Sequence, residues 1–392
     1  MSEPIREDDD FLVFGKPAFE QPEIDEVVDS LEAAWPGTGP KAQAFEEAFA
    51  DYVGAEHAIA LNSCTAALHL SLEHLDLEAD DEVITTPLTF CASVNAIIHA
   101  GGTPVLADVD PRTMNLDPAS VREAITPKTE AILPVHFAGR PCDMSALLEI
   151  ADDHDLTVIE DCAHAIETRI DGQHAGTFGD FGCFSFYATK NVVTGEGGMI
   201  VTDDDEAARH LRTLSLHGMS QDAWKRYSDS GYEHYQVVEA GFKYNMMDLQ
   251  AALGLHQLER VEQNWRYRAE LWDMYNDALE DLPVTTPSSR PEDGRHALHL
   301  YTLMIDEESS GLSRDAFLNA MNDENIGTGV HYLSVPEHPY YQERYGWDPA
   351  ETPHATRLGR QTVSLPFGPA VSDDDARDVI AGVKKVLRTS TA

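Results

Sequence analysis

The sequence predicts an α/β chain: a mostly parallel, buried sheet with helices on its faces, followed by a smaller C-terminal α/β unit. Three observations carry this expectation. Short runs rich in Val, Ile, Leu and Ala alternate with segments of helical period through the first half of the chain. Those runs are apolar at successive positions, as strands buried on both faces must be. After about residue 245 the strand signal gives way to one long helical pattern.

The elements follow in order. HAIAL (57–61) reads as a strand and NSCTAALHLSLEHL as the helix after it, with Leu68, Leu72 and Leu75 on one face. EVITT (82–86) and a helix over 90–100 come next, then PVLAD (104–108) and a helix over 118–125. AILPVHF (131–137), a helix from Asp143 and TVIED (157–161) continue the alternation. GCFSFYA (182–188) and GGMIVT (197–202) read as two further strands. Strand, helix, strand at such spacing is the pattern of βαβ units. Over 246–279 Leu249, Leu253, Leu255, Leu258, Val261 and Trp265 repeat at helical spacing, predicting one long helix. Beyond the proline-rich stretch 283–291, a strand (298–305), a helix (314–321) and a final helix (373–387) form the smaller unit. We expect a large domain over 1–250, with the linking helix and small domain over 251–392.

Composition excludes several classes. Apolar residues make up 42% of the 392, so a packed core is within reach. No run of about 18 apolar residues is present, so no membrane-spanning helix is expected. The acidic start MSEPIREDDD has no basic segment before an apolar one, which predicts a cytoplasmic chain without a signal peptide. The formal charge is −42, from 69 acids against 27 bases, of which only eight are lysines. Binding to nucleic acid or an anionic membrane needs clustered cations and is not expected. Such an acidic, lysine-poor surface suits a salt-rich cell, where a Debye length of about 3 Å at ~1 M salt screens the self-repulsion. Cys64, Cys91, Cys142, Cys162 and Cys183 are odd in number and lack CxxC spacing, which predicts reduced thiols rather than disulfides or zinc. The histidines show no HExxH, so no metal site is expected.

Four loops at strand ends hold the candidate chemistry, because ligands of open α/β sheets sit beyond the carboxyl ends of strands. Asn62, Ser63, Cys64 and Thr65 open a helix, where free N–H groups can take an anion or simply be capped. Asp161 ends a very apolar strand and requires a partner there: a cation, a helix N-terminus or a protonated ring nitrogen. Lys190 follows an apolar strand in a chain that has few lysines. Desolvated, it would act as a nucleophile and proton carrier; exposed, it would only snorkel. The glycines around Glu196 permit close backbone approach or a turn. There is no GxGxxG after the first strand, no GxxxxGK[ST] and no GxSxG elbow. Together a phosphate cradle, an acid and a lysine fit pyridoxal phosphate, which needs all three.

At these residues the chain resembles the DegT/DnrJ/StrS family of pyridoxal-phosphate sugar aminotransferases. The segments are TGPKAQAFEEAFADYVGAEHAIALNSCTAALHLSL, TPLTFCASVNAIIHAGGTPVLADVD, HFAGRPCDM, IEDCAHA, FSFYATKNVVTGEGGMIVTDD, HGM, GFKYNMMDLQAALGLHQLE and GVHY. The resemblance implies the aspartate-aminotransferase fold, pyridoxal phosphate fold type I. It implies that Lys190 bonds covalently to the cofactor and moves the substrate proton, and that Asp161 pairs with the ring nitrogen. Phe90 would stack on the ring and His164 would reach the ring hydroxyl. Ser63, Cys64, Thr65 and Ser185 would hold the phosphate. Asn245 would enter the neighbouring subunit's site, making a homodimer with shared active sites. His331 and Tyr332 would face the substrate. The run LSVPEHPYY departs from the family by placing Pro336 where a histidine commonly falls, in a region expected to touch the sugar. The implied reaction passes an amino group from glutamate to a keto group at C4 or C3 of a nucleotide-linked sugar. Alternatives are another keto acceptor, such as a keto-inositol, or a non-catalytic regulator retaining the fold.

Overall fold

The computed structural model describes residues 4–7, 10–220 and 235–390. Two helices come first, α1 (Gln21–Glu32) and α2 (Pro40–Val53), each with proline in its first turn, where the missing N–H costs no helical bond. Then follow β1 (His57–Leu61), α3 (Cys64–Glu73), β2 (Glu82–Thr85), α4 (Cys91–His99), β3 (Thr103–Leu106), α5 (Pro118–Ala124), β4 (Thr129–Leu133), α6 (Met144–His154) and β5 (Thr157–Asp161). Two-residue strands β6 (Arg169–Ile170) and β7 (Gln173–His174) precede β8 (Phe181–Ser185), β9 (Gly198–Thr202) and α7 (Asp205–Ser215). Side-chain caps start the helices where the sequence places Ser or Asp: Ser63 Oγ accepts from the Ala66 N–H at 3.1 Å and Asp143 from Ala146 at 3.2 Å.

The main sheet has seven strands in the order β1-β9-β8-β5-β4-β2-β3. Pairing is parallel from β8 through β5, β4 and β2 to β3, while β9 runs antiparallel to both β8 and β1. The mostly parallel sheet expected from the sequence is present, with one reversed strand. That reversal follows from the connection over 186–197, which returns the chain directly as an antiparallel neighbour and carries no crossover helix. It also brings Gly198, the first residue of β9, opposite Ser185, the last residue of β8. Both faces of the sheet are covered. Leu68, Leu70, Leu72 and Leu211 pack with Ile59 and Ile200 on one side, and Phe45, Phe49, Phe184 and Phe186 interlock on the other with ring centroids 4.9–6.1 Å apart. This double burial is why the strands read as continuous apolar runs.

The helix expected over 246–279 is in fact two, α8 (Asp248–Glu259) and α9 (Val261–Leu279). They break at Arg260 (φ −99°, ψ −1°), whose guanidinium is bound by Glu20 and by the fully buried Glu23 at the start of α1. The break thus coincides with a tertiary ion pair, while the leucine spacing runs through it intact. The remainder comprises β10 (Gly294–Arg295), β11 (Tyr301–Met304), α10 (Glu307–Ser310), α11 (Arg314–Asp323), α12 (Pro339–Tyr345), α13 (Pro353–Gln361), β12 (Thr362–Leu365) and α14 (Asp373–Ser390). Strands β11 and β12 pair antiparallel, and Trp272, Tyr275, Tyr301 and Phe317 form a core between them and the helices. Strand β10 joins β6 and β7 in a small third sheet. Among the described residues no helix is long and apolar enough to cross a membrane.

Candidate active site

A cavity of about 520 Å³ opens where the starts of α3 and α4, the ends of β5 and β8, and the 331–332 segment converge. Ser63, Cys64, Thr65, Phe90, Asp161, His164, Ser185, Lys190, His331 and Tyr332 all line it. Of the eleven residues singled out in the sequence, Asn245 alone is elsewhere. It lines a second cavity beside Thr38 and Arg212, where its side chain contacts Thr38 and Lys243. The run 333–341 does not reach the cavity either. Pro336 is buried in a short turn over Val335–Glu337.

The floor is the N-terminus of α3. Ser63 occupies the amide of Ala66 through its side chain and that of Ala67 through its carbonyl, which leaves the amides of Cys64 and Thr65 for an anion. Strand β9 passes so close that a Cβ built on Gly198 would lie 2.4 Å from the backbone carbonyl of Ser63 and 2.5 Å from the Cys64 nitrogen. Only glycine permits that approach. All five cysteines are free; four are buried and Cys91 is half-buried. Burial, with Asp161 nearby, pushes the Cys64 thiol well up, so it stays a neutral donor.

Strand β5 ends in two acids that alternate across the sheet. Glu160 accepts the N–H groups of Gly176, Phe178 and Gly179, each at 2.8 Å, and meets His136 Nε2 at 2.9 Å. Although His136, Glu160 and Cys162 are close enough together to ligate an ion, that carboxylate is already satisfied and pins the turn before β8. Asp161 faces the cavity. Its Oδ2 accepts from Ser93 Oγ at 2.8 Å and its Oδ1 from the Ala163 N–H at 3.1 Å. Among the described residues it has no ion-pair partner, and burial raises its pKa. A buried acid that faces a cavity on two hydrogen bonds is placed to take a cationic or N–H-bearing group.

Lys190 lies half-buried in the connection between β8 and β9, its N–H donating to the Tyr187 carbonyl at 2.9 Å. Desolvation lowers its pKa to about 8, against the opposing pull of Cys64 and Asp161. The amine is thus partly neutral, hence nucleophilic, near neutral pH. Above it, His164 Nδ1 accepts the Ala138 N–H at 3.2 Å and Nε2 meets the Tyr332 hydroxyl at 3.1 Å. Burial, then the charge of Lys190, holds His164 far below an ordinary imidazole and His331 down at about 3. His331 Nδ1 meets Ser364 Oγ at 2.8 Å. Sequence reasoning missed Ser93, Thr89 and Tyr187, which also line the cavity, as does Glu196 in the glycine loop it had singled out. Thr89 and Ser93 share a 2.8 Å hydrogen bond at the start of α4, and their spacing by four was the available signal.

A ligand whose aldehyde takes an amine, whose ring nitrogen takes a carboxylate and whose phosphate takes helix amides fits this donor set. Fold and donor set together fit the class of pyridoxal-phosphate enzymes. Comparison with known proteins narrows it. The sequence profile of the DegT/DnrJ/EryC1/StrS aminotransferase family matches residues 17–384, and the chain belongs to that family. It is 49% identical over 379 residues to the spore coat polysaccharide biosynthesis protein SpsC of Bacillus subtilis (strain 168), covering 96% of this chain and 97% of that one. The putative sugar aminotransferase Spr1654 from Streptococcus pneumoniae, solved in PLP and PMP forms, superposes with a TM-score of 0.90 at 31% identity, covering 97% of this chain and all of that one. DesI, solved in the presence of its TDP-sugar product, has a TM-score of 0.87 at 32% identity, covering 99% of this chain and 95% of that one.

Proposed function

We propose that this aminotransferase moves an amino group from glutamate to the keto group, at C4 or C3, of a nucleotide-linked sugar. The observation that carries the reading is the meeting of Lys190 and Asp161 across one cavity whose floor is a helix N-terminus. The likeness to DesI, solved with a TDP-sugar product, supports the acceptor class, and that to SpsC supports a role in polysaccharide assembly.

Bound pyridoxal phosphate supplies an electron sink for the charge left when a proton leaves the substrate carbon. In this reading the Lys190 amine would hold the cofactor and, once the incoming amine displaces it, would carry that proton between carbons. Asp161, steered by Ser93, keeps the ring nitrogen protonated. The amides and side chains of Ser63, Cys64 and Thr65, with the Ser185 hydroxyl, hold the phosphate. Phe90, which is 57% exposed at the cavity mouth, covers one ring face, and His164 donates from Nε2 to the ring hydroxyl. His331 and Tyr332 bound the sugar side.

The enzyme acts as a cytoplasmic homodimer, with Asn245 reaching the neighbouring site. Ile24, Val28 and Leu31 support this reading: they lie on one face of α1 and are each about half exposed, beside exposed Trp35 and Met247, an apolar surface suited to a second copy. The test is to add pyridoxal phosphate to purified protein and follow its lysine-bound absorbance in wild type and Lys190→Ala. A panel of keto-sugar nucleotides with ¹⁵N-glutamate is then assayed for label transfer. Lysine-dependent absorbance and labelled amino-sugar are expected. No lysine-dependent absorbance, or transfer unaffected by Lys190→Ala, overturns the reading.

A further inference from the structure

We propose that His299 is a positioning residue for the cofactor cavity, holding His164 in one plane and one tautomer. The inference rests on the cofactor reading above. His299 lies just before β11, in the C-terminal part of the chain, and does not line the cavity. Its imidazole nevertheless packs on that of His164, with centroids 4.4 Å apart and planes tilted by 34°.

Hydrogen bonds fix the protons on both rings. The Asn191 side chain donates from Nδ2 to Glu167 Oε2 at 2.7 Å and to the Ala297 carbonyl at 3.2 Å. Its amide oxygen must therefore face His299 Nδ1, 3.0 Å away, which carries the proton. Glu167 is itself locked by the buried guanidinium of Arg268 on α9. On the other side, the peptide of Ala138 joins the two residues: its carbonyl accepts the backbone N–H of His299 at 3.0 Å and its own N–H donates to His164 Nδ1. The proton of a neutral His164 is then on Nε2, aimed at Tyr332 and the cavity. Turning the ring over would break the Ala138 bond and withdraw that donor, and the His299 ring, packed 4.4 Å away, restrains the turn.

Groups facing the pair disfavour a second proton. His164 faces Lys190, His299, His331 and the neutral Tyr332 hydroxyl; His299 faces Lys190, His331, His296 and Arg268, whose partner is Glu167. Burial and these neighbours hold both imidazoles well below their ordinary pKa. His164 thus remains a single-donor, uncharged group next to the amine.

His299→Asn keeps a donor for Asn191 but removes the ring. Titrating apoprotein with pyridoxal phosphate by fluorescence, we expect His299→Asn to melt near wild type yet bind about tenfold more weakly, the weight of one lost hydrogen bond. Its binding should also fail at higher pH on the acid side, as a loosened His164 takes a proton more readily. His299→Phe, which keeps a flat ring without the donor, should melt lower but bind within a few-fold of wild type. In a His164→Gln background, His299→Asn should add nothing. Equal weakening in both backgrounds, or wild-type affinity for His299→Asn, overturns the proposal. Should neither His299 variant fold, ¹⁵N-histidine spectra of wild-type apoprotein decide: His164 as Nε2–H supports it, and protonation near the ordinary value of about 6.5 overturns it. If wild-type apoprotein takes up no cofactor at Lys190, the underlying functional reading fails; if uptake is normal and only the His299 effects are missing, this inference alone fails.

Discussion

Ser93 donates its hydroxyl to Asp161 Oδ2 at 2.8 Å, from the first turn of α4 to the last residue of β5. The bond favours the ionised acid against a burial that pushes its pKa upward. Ser93→Ala should therefore weaken pyridoxal phosphate binding by about tenfold, since a hydrogen bond to a charged group contributes about 1.5–3 kcal/mol. It should also raise the acid limb of binding. Equilibrium titration of apoprotein across pH measures both; an unchanged acid limb would argue against this role for Ser93.

Lys190 should react as an unusually acidic amine. With its folded pKa near 8 against an ordinary 10.5, labelling of apoprotein by an amine reagent should reach half its plateau rate near pH 8, read by mass spectrometry of its peptide. The sign for stability follows. Between those two values the unfolded chain binds a proton that the folded chain refuses, so this residue's contribution to stability falls as pH is lowered through that window and stays constant below it.

Gly198→Ala should damage the phosphate cradle without touching a ligand-binding side chain. The new methyl would meet the Ser63 carbonyl at 2.4 Å, forcing the start of α3 away from β9. Overpacking of this kind costs about 1–3 kcal/mol, visible in urea unfolding, and cofactor affinity should fall with it. A variant that retains both wild-type stability and affinity would show that the helix start is free to shift.

Glu167→Gln should be among the most destabilising single changes, because it leaves the Arg268 guanidinium buried and unpaired. Breaking such a pair typically costs about 3–5 kcal/mol, whereas replacing both partners by apolar residues of like volume is far milder. Urea melts of Glu167→Gln, Arg268→Met and Glu167→Leu/Arg268→Met distinguish the two outcomes.

The charge of −42 should make stability rise with salt. Melting temperature is expected to climb by several degrees from dilute buffer to molar KCl, as screening shortens the reach of self-repulsion to about 3 Å. A flat response would remove the argument for a salt-rich habitat.

Strands of the main sheet were legible in the sequence because burial on both faces writes apolar residues at successive central positions, as in TVIED and HAIAL. The cavity was legible because its residues sit at the ends of those strands. What escaped is tertiary in origin. The break at Arg260 sits where Glu20 and Glu23, more than two hundred positions away along the chain, bind its guanidinium, under a leucine pattern that never changes phase. Strand β12 is a four-residue run directly following α13, too short to carry a period of its own. His299, in the run RHALHLY, carries no motif; only the fold sets it against His164 and Asn191. Asn245 was readable as a motif but not as a place, since its cavity differs from the others'.

The antiparallel return of β9 has a consequence for how the cofactor's two ends are spaced. Lys190 and Gly198 belong to one hairpin closed by the Ser185–Gly198 pairing, so the span from the amine to the phosphate end is set by a local loop of fixed length. That ruler is complete before the C-terminal half of the chain contributes anything. In the proposed reading the later part of the chain, through His299 against His164, would adjust how firmly the ring is held but not how far apart the amine and the helix start lie.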